Sequence, residues 1–503
     1  MNESIQQTPG RLVIVSNRLP VVLERSEGTL TTRPGSGGLV TALAPVLRDR
    51  GGIWIGWSGM PDDVQKEVDH VLTDSSLSAG YTLKAVPLSG QEFEDYYQGF
   101  ANEILWPLFH DLQSHCHFDP AYWTAYRSVN RKFASHIRDT VEAADFIWVH
   151  DYHLMLAAAE LRGMGVENPL GFFLHIPFPP PDIFFKLPWR FQILSSMLAF
   201  DLIGFQTMRD KRNFVQCVRM LLPGTSVRSE GGFHVLRHDA REVRAGVFPI
   251  SIDYGEFERR ARGREVAESA WYIHEALPDR QIVLGVDRLD YTKGIPYRLK
   301  AFRSALRHHP ELLEKITLVQ VVVPSRIDIP KYNDLKIEIE QLVGEINGEF
   351  TRSGWVPIHY IFRHLTRGEL LGYYRTAEIA LITPVKDGMN LVAKEYIACN
   401  LEANGVLILS EFAGAVAQLH RDALLVNPYD IEGMGNAIYN AFSMSPAERK
   451  RRMHRLRATV RRYDIYRWVE AFLEAAVSRH LQDFPVVSEY IPPADSPDIG
   501  VSI

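Results

Sequence analysis

The sequence predicts an α/β protein of two doubly wound, Rossmann-like domains, each a parallel sheet covered by helices. Three observations carry that expectation. The chain has 503 residues, more than one ordinary core holds, so two or three domains are expected. Short apolar runs alternate with helix-forming segments along most of its length, the pattern of βαβ units. The alternation breaks once, after EVRAGVFPI (242–250), where a polar helical stretch leads into a second series. An N-terminal domain over 1–250 and a second over 251–464 follow from that break. A tail rich in Pro, Ser and Asp covers 482–503.

In the first series, RLVIVSN (11–17) is a strand whose end carries Arg18. A polar loop then leads to PGSGGLVTALAPVL, where Gly35, Gly37 and Gly38 precede a helix beginning near Leu39. Strand, glycine-rich loop and helix make a phosphate-approach unit. The loop matches neither G-x-G-x-x-G nor a P-loop, and glycines that only let the chain turn explain it equally well. GGIWIGWSG (51–59) and YTLKAVPLS (81–89) are strands. EDYYQGFANEILWPLFH (94–110) is a helix whose Tyr97 and Trp106, by spacing alone, read as core aromatics. A further helix covers about 121–140. DFIWVHDYHLML (145–156) runs from strand into helix with His150, Asp151 and His153 at the junction, and LGFFLHIPFPPPDIF (170–184) is a strand ending in His175. These histidines follow no zinc spacing and no cysteine joins them, so no metal is expected. At the carboxyl edge of parallel strands, Asp151 and His175 are better placed to bind sugar. DLIGFQT (201–207) adds a strand, and TSVRSEGGFHVLRHD a hairpin around Gly231 and Gly232.

In the second series, QIVLGVDRLDYTKG (281–294) is a strand followed by a loop with Arg288, Asp290, Lys293 and Gly294. ITLVQVVVPSR (316–326) ends in Arg326; a long helix (332–348), the strand IHYIFRHL and the helix TRGELLGYYRTA follow. LITPVKDGMNLVAKEY (381–396) then joins a strand end at Val385, a tight turn and a helix start. Gly388 permits a backbone conformation that a side chain would oppose, so consecutive N–H groups can point into one cavity. A helix N-terminus there favours a negative group such as a diphosphate. Asp387 can accept from sugar hydroxyls and Glu395 can reach a ribose; equally, Asp387 caps the helix and Glu395 is solvated. GVLILSEFAG and ALLVNPYD complete the sheet. Ser445, Pro446 and Glu448 read as a capping box opening a basic helix. Its Lys450, Arg451, Arg452, Arg455, Arg457, Arg461 and Arg462 read as a solvated face rather than a contact for an acidic partner. The amphipathic helix 465–481 packs back across the domain junction.

Composition narrows the class. With 46% hydrophobic and 23% charged residues the chain is globular, and a net charge of −6 argues against a nucleic-acid partner bound through overall basicity. A local basic cleft for phosphorylated small molecules remains compatible with it. Cys116, Cys217 and Cys399 form no Cys-x-x-Cys pair, which fits a reducing cytoplasm. The opening MNESIQQTPG lacks the apolar core of a signal peptide, and no apolar run approaches the ~20 residues that cross a bilayer, so no membrane partner is expected. A homo-oligomer is compatible with the sequence.

SNRLP, the GGL loop, GWSG, YYQGFANEILWP, WVHDYHL, FFLHIPFP, GFQT, VDRLDYTKG, PSR and DGMNLVAKEY together resemble the trehalose-6-phosphate synthase family, in order, from about residue 11 to 481. The resemblance implies a retaining glycosyltransferase of GT-B architecture, with two facing Rossmann-like domains and a cleft between them. It implies transfer of glucose from UDP-glucose to glucose 6-phosphate, giving α,α-trehalose 6-phosphate and UDP, as in trehalose synthesis for osmoprotection. Position by position, Arg18, Tyr97, Trp106 and Arg326 match the acceptor-phosphate pocket, and Asp151 an acceptor-side residue. This moves Tyr97 and Trp106 from core to site. His175 matches a residue near the donor glucose. Gly37, Gly38, Arg288 and Lys293 lie around the donor diphosphate, although the long loop after Arg18 leaves the contacts of Ser36 and Gly37 open. Asp387, with the backbone of Gly388, Met389, Asn390 and Leu391, matches the donor-glucose clamp. Glu395 matches the ribose ligand, and the backbone from Arg363 to Leu365 lies beside the base.

Four residues are expected to carry the chemistry: Arg288, Lys293, Asp151 and His175. A departing diphosphate is best met by Arg288, Lys293 and loop N–H groups. No Asp-x-Asp diphosphate–metal motif is present, so no metal or other cofactor is expected; UDP-glucose is a substrate. A retaining glycosidase needs a carboxylate nucleophile. None is assigned here, which points to front-face displacement without a covalent intermediate. Two alternatives stay open: a glucosylglycerol-phosphate synthase using glycerol 3-phosphate and ADP-glucose, and a non-enzymatic sugar-phosphate sensor.

Overall fold

The computed structural model describes residues 10–26, 29–35, 38–325, 330–478, 481, 484 and 490–492. The first half runs β1 (Leu12–Arg18), β2 (Val21–Ser26), β3 (Thr29–Pro34), β4 (Ile53–Trp57), β5 (Thr82–Ala85), β6 (Phe146–His150), β7 (Leu170–Phe173), β8 (Leu202–Phe205), β9 (Ser226–Glu230), β10 (Phe233–His238) and β11 (Arg241–Val247). Among the described residues, nine of these form one sheet in the order β5-β4-β1-β6-β7-β8-β11-β10-β9. The pairs from β5 to β11 are parallel, whereas β10 and β9 add to the edge as an antiparallel extension. The segment after Arg18, expected as a polar loop, is instead the antiparallel hairpin β2–β3. Its Leu23 and Leu30, one from each strand, are buried against the first sheet's core, and Glu24 and Arg33 pair on the outer face at 2.5 Å.

The second half carries β12 (Gln281–Arg288), β13 (Ile316–Val323), β14 (Ile358–Phe362), β15 (Ile379–Ile382), β16 (Val406–Ser410) and β17 (Leu424–Val426). They form a parallel sheet in the order β14-β13-β12-β15-β16-β17. The central strands of both sheets are buried on both faces. Val13 and Val15 point into one core with Ile53 and Ile55, while Ile14 packs with Trp54 in another. In β12, Ile282 and Leu284 likewise separate from Val283.

Strand order fixes where a ligand can sit. In the first sheet the order reverses beside β1, between β4 and β6; in the second it reverses beside β12, between β13 and β15. Such switch points open crevices at the carboxyl ends of the strands. Arg18 ends β1, Asp151 follows β6, Arg288 ends β12 with Lys293 in the turn after it, and Asp387 follows β15.

Three expectations about helices change. Phe93–Leu105 winds in wide π-type turns before an α-helical turn at Trp106–Phe109. Only half of the capping box at the helix Pro446–Arg462 forms: Ser445 accepts from the Glu448 N–H, but the Glu448 carboxylate turns to Arg451 and Arg452. That helix is also not uniformly solvated. Arg457 is buried and donates to the carbonyls of Ile397, Ala398 and Asn400 at the end of the helix Leu391–Cys399, and to Glu258. The guanidinium thus satisfies orphan carbonyls at a negative helix end.

The helix Ile465–Val477 lies on the first sheet, with the Phe472 ring stacked 4.2 Å from Trp148 and the Trp468 ring 5.0 Å from Phe173. Among the described residues, no helix is long and apolar enough to cross a membrane.

Candidate active site

The second sheet supplies the turn after β15. Asp387 is its centre: Oδ2 accepts from Lys293 Nζ at 2.6 Å and from Asn390 Nδ2 at 3.2 Å, while Oδ1 accepts from the N–H groups of Met389 and Asn390. Burial pushes the Asp387 carboxyl up, but the Lys293 ammonium and these N–H donors outweigh it and hold it below its ordinary value. Asn390, not Asp387, caps the helix: its φ is +57° and its Oδ1 accepts from the Ala393 N–H. The capping alternative for Asp387 therefore gives way to a carboxylate that organises a loop.

Gly388 is required for a different reason than expected. It is absent from the glycines with positive φ, so no left-handed conformation is at stake. A Cβ at Gly388 would instead collide with the carbonyl oxygen of His175 and lie 2.8 Å from Ile176 Cα. Here the two halves approach backbone to backbone. Met389 and Leu391 also pack against the apolar cluster of the first sheet, as do Leu39 and Val40 of the helix that Gly38 begins.

The facing wall comes from β1, β6 and β7. Arg18 lies over Trp57, with Cζ 4.3 Å from the ring centroid. Asp151 holds φ at +74°, a conformation rare for a residue with a side chain, and its Oδ1 accepts from the His175 N–H at 3.3 Å. Burial raises the Asp151 carboxyl to about 7, against the lowering effect of three backbone N–H groups. The buried His175 imidazole, lowered by burial to about 3, meets His150 with Nε2 3.1 Å from Nδ1. Tyr97 lies between Phe93 and His153, 5.2 and 5.7 Å away by ring centroids. Trp106 is 7% exposed and belongs to the first core, as its spacing alone predicts.

Other expected positions are less engaged. Arg288 is exposed at the carboxyl end of β12. Leu365 is half-buried beside the Thr366 capping box, and Glu395 accepts from the Tyr374 hydroxyl at 3.0 Å. Burial raises the Glu395 carboxyl. Gly37 and Arg326 lie outside the described residues. Among the described residues, no group of three or more His, Cys, Asp or Glu side chains is arranged to hold a metal ion.

Sequence reasoning missed the residues that join the walls. Lys386 Nζ is 2.8 Å from Asp111 of the first half, and Lys394 Nζ donates to the Ile250 carbonyl at 2.5 Å. His110 donates from Nδ1 to the Trp106 carbonyl at 2.7 Å, and burial lowers its imidazole to about 4 within the fields of Asp290, Lys293 and Asp387. Its place four residues after Trp106, on the same helical face, was the available signal. The joining contacts are between residues far apart in sequence and left none.

The arrangement therefore offers a cation–carboxylate pair and clustered N–H groups on one side, and a carboxylate, imidazoles and aromatic rings on the other. A trehalose-6-phosphate synthase from Mycolicibacterium vanbaalenii is 42% identical over 473 residues, covering 93% of this chain and 96% of that protein. One from Mycobacterium bovis is 42% identical over 477 residues, covering 93% and 95%. Among solved structures, an α,α-trehalose-phosphate synthase (UDP-forming) from Burkholderia xenovorans, in complex with glucose-6-phosphate, superposes with a TM-score of 0.83 at 33% identity, covering 93% of this chain and all of that one. An E. coli structure bound with UDP-2-fluoro glucose gives a TM-score of 0.82 at 37% identity, covering 93% and 98%. The expected GT-B architecture is met. The model of glycosyltransferase family 20 matches residues 10–478, and this chain belongs to that family.

Proposed function

We propose that the protein transfers glucose from UDP-glucose to glucose 6-phosphate, giving α,α-trehalose 6-phosphate and UDP with retention at the anomeric carbon. The observation that carries this reading is the meeting of the Lys293–Asp387 pair with the His175–Asp151 wall across Gly388. The names of the relatives, and the glucose-6-phosphate and UDP-2-fluoro glucose in the two neighbouring structures, support the choice of substrates. Residues 1–250 form the acceptor lobe in this reading, and 251–464 the donor lobe; the helix segment 465–481 returns to the first.

The chemistry follows from charge. Lys293 has ammonium protons beyond the one given to Asp387, and these, with Arg288 and the N–H groups of Gly388 and Leu391, face the departing diphosphate, while the Met389 and Asn390 N–H groups hold Asp387 in place. Asp387 and His175 hold the donor glucose, and Glu395 exchanges its Tyr374 bond for a ribose hydroxyl. Arg18, Tyr97, Trp106 and Arg326 hold the acceptor phosphate end, and Asp151 takes a hydroxyl of the acceptor sugar. The acceptor oxygen bonds to the anomeric carbon on the face that the diphosphate leaves, and its proton passes to the diphosphate oxygen as that bond breaks. No covalent glycosyl-enzyme forms, and no cofactor enters. Closure of the lobes excludes the water that would hydrolyse the donor.

The test is nucleotide release from UDP-, ADP- and GDP-glucose crossed with glucose 6-phosphate and glycerol 3-phosphate. Release with UDP-glucose and glucose 6-phosphate is expected. Preference for glycerol 3-phosphate, or no turnover with any pair, would replace the proposal with a different acceptor or with a sensor. Trapping of a glycosyl-enzyme would remove the front-face step.

A further inference from the structure

Two buried imidazoles meet behind the donor wall, and one of them has no role in the reaction as drawn. His150 is the last residue of β6 and pairs in register with Phe173 of β7; His175 follows two residues later. His150 Nδ1 and His175 Nε2 are 3.1 Å apart, a hydrogen bond that needs one proton between them. Three aromatic rings pack against the pair. Trp148 lies 4.8 Å from the His150 ring, Phe173 4.6 Å from the His175 ring, and Trp468 within 6.4 Å of both. The other two nitrogens of the pair, His150 Nε2 and His175 Nδ1, are buried without a hydrogen-bond partner among the described residues.

We propose that His150 is a positioning residue for glucosyl transfer: it accepts the Nε2–H of His175, fixing that ring's plane and tautomer and leaving His175 Nδ1 as a bare acceptor for a hydroxyl of the donor glucose. The inference rests on the transfer reaction proposed above and deepens it. Burial keeps both rings neutral, so each carries one proton. If His175 donates from Nε2, the His150 proton also sits on Nε2. If His150 donates from Nδ1, both rings must be Nδ1-protonated. Free neutral histidine favours the Nε2–H form, so the first arrangement places both rings in their preferred tautomer and the second places neither. The leftover His150 N–H then lies among aromatic rings, where N–H···π contact recovers part of its lost bond. The leftover His175 lone pair has no donor among the described residues, and a buried acceptor in a binding wall calls for one from the ligand.

The test combines a spectrum with two substitutions in the full-length protein. His150→Leu removes the acceptor, whereas His150→Asn returns a carbonyl oxygen close to the position of Nδ1. His150→Leu is expected to lower kcat by ~10–100-fold, the usual cost of losing an orienting partner, with the acceptor KM unchanged. His150→Asn is expected to recover most of that loss. In histidine-selective 15N spectra of the ligand-free wild type, His175 is expected as the Nε2–H tautomer. A His175 Nδ1–H tautomer overturns the proposal, and so does equal activity of the Leu and Asn variants. The spectrum needs neither turnover nor a variant that folds. The expected tautomer in a protein that transfers no glucose would leave the pairing standing and remove the reaction.

Discussion

At Lys293 and Asp387 the value of each side chain depends on the other. Asp387 is 9% exposed and would be costly to bury as an unpartnered anion; Lys293 supplies the charge and two backbone N–H groups with the Asn390 amide supply the rest. Lys293→Met removes only the cation, and Asp387 keeps three N–H donors, so the fold should survive. Steady-state assays should show kcat reduced by about 10²–10³, the cost of one preorganised charge contact at a leaving group. A change confined to KM would mean that Lys293 only binds the donor. Asp151 gives a pH prediction. Its folded-state value of about 7 lies above the ordinary carboxylate value, so the ligand-free fold gains stability as pH falls through 7 toward ~4. Function moves the other way, because the carboxylate accepts from a sugar hydroxyl more strongly than the neutral carboxyl, whose own O–H must also find an acceptor. The pH profile of kcat/KM for the acceptor should fall below about 7, and Asp151→Asn should flatten that limb while lowering the plateau.

Between elements, the helix Pro446–Arg462 shows what charge patterning conceals. A run of basic residues on a helix looks solvated, yet Arg457 is 9% exposed and holds the carbonyl end of the helix Leu391–Cys399, which begins at the candidate site. Arg457→Met should cost about 3–5 kcal/mol, the range for removing one partner of a buried ion pair. Arg461→Met removes a largely exposed contact to the same Glu258, and should cost within ~1 kcal/mol. Urea unfolding midpoints compare the two, and equal shifts would return Arg457 to the surface. The same contrast marks what the sequence could disclose. Strands β1, β6, β7, β12, β13 and β16 were legible because fully buried strands are apolar along their whole length. The hairpin β2–β3 was not, since Val21, Val22 and Leu23 run straight into charged residues, Leu30 is the one large apolar residue of β3, and the connection carries no Asn-Gly or Asp-Gly pair. The two walls of the candidate site were legible where a motif held them, as in DGMN and VHDYH, whose Asp387 and Asp151 organise hydrogen bonds in the structure. Their hydrogen-bond partners were not, because pairings such as His150 with His175 or Lys394 with Ile250 depend on strand order and lobe contact.

The whole molecule is organised by how closely its two halves can meet. Lys386 reaches Asp111 at 2.8 Å, Lys331 reaches the His115 carbonyl at 2.9 Å, and Lys394 ties the helix Leu391–Cys399 to the Ile250 carbonyl. Gly388 sets the limit of this approach, since a single methyl group there meets the backbone of His175 and Ile176. Backbone cannot rotate aside as a side chain can, so the halves must part by a fraction of an ångström to about one. Gly388→Ala should therefore leave each half folded and its thermal midpoint nearly unchanged, because the conflict arises only at contact. A misplacement of that size is expected to cost on the order of 10²-fold in kcat/KM. Gly344, inside the helix Pro330–Phe350 with nothing within 4 Å of an added Cβ, is the control. Gly344→Ala should be neutral for activity and slightly stabilising, as alanine favours helix over glycine. Calorimetry and kinetics on the two variants separate close approach from ordinary glycine flexibility. If Gly388→Ala retained full activity, the two walls would not need to close to the distance seen here, and the joint donor–acceptor site built on that contact would have to be redrawn.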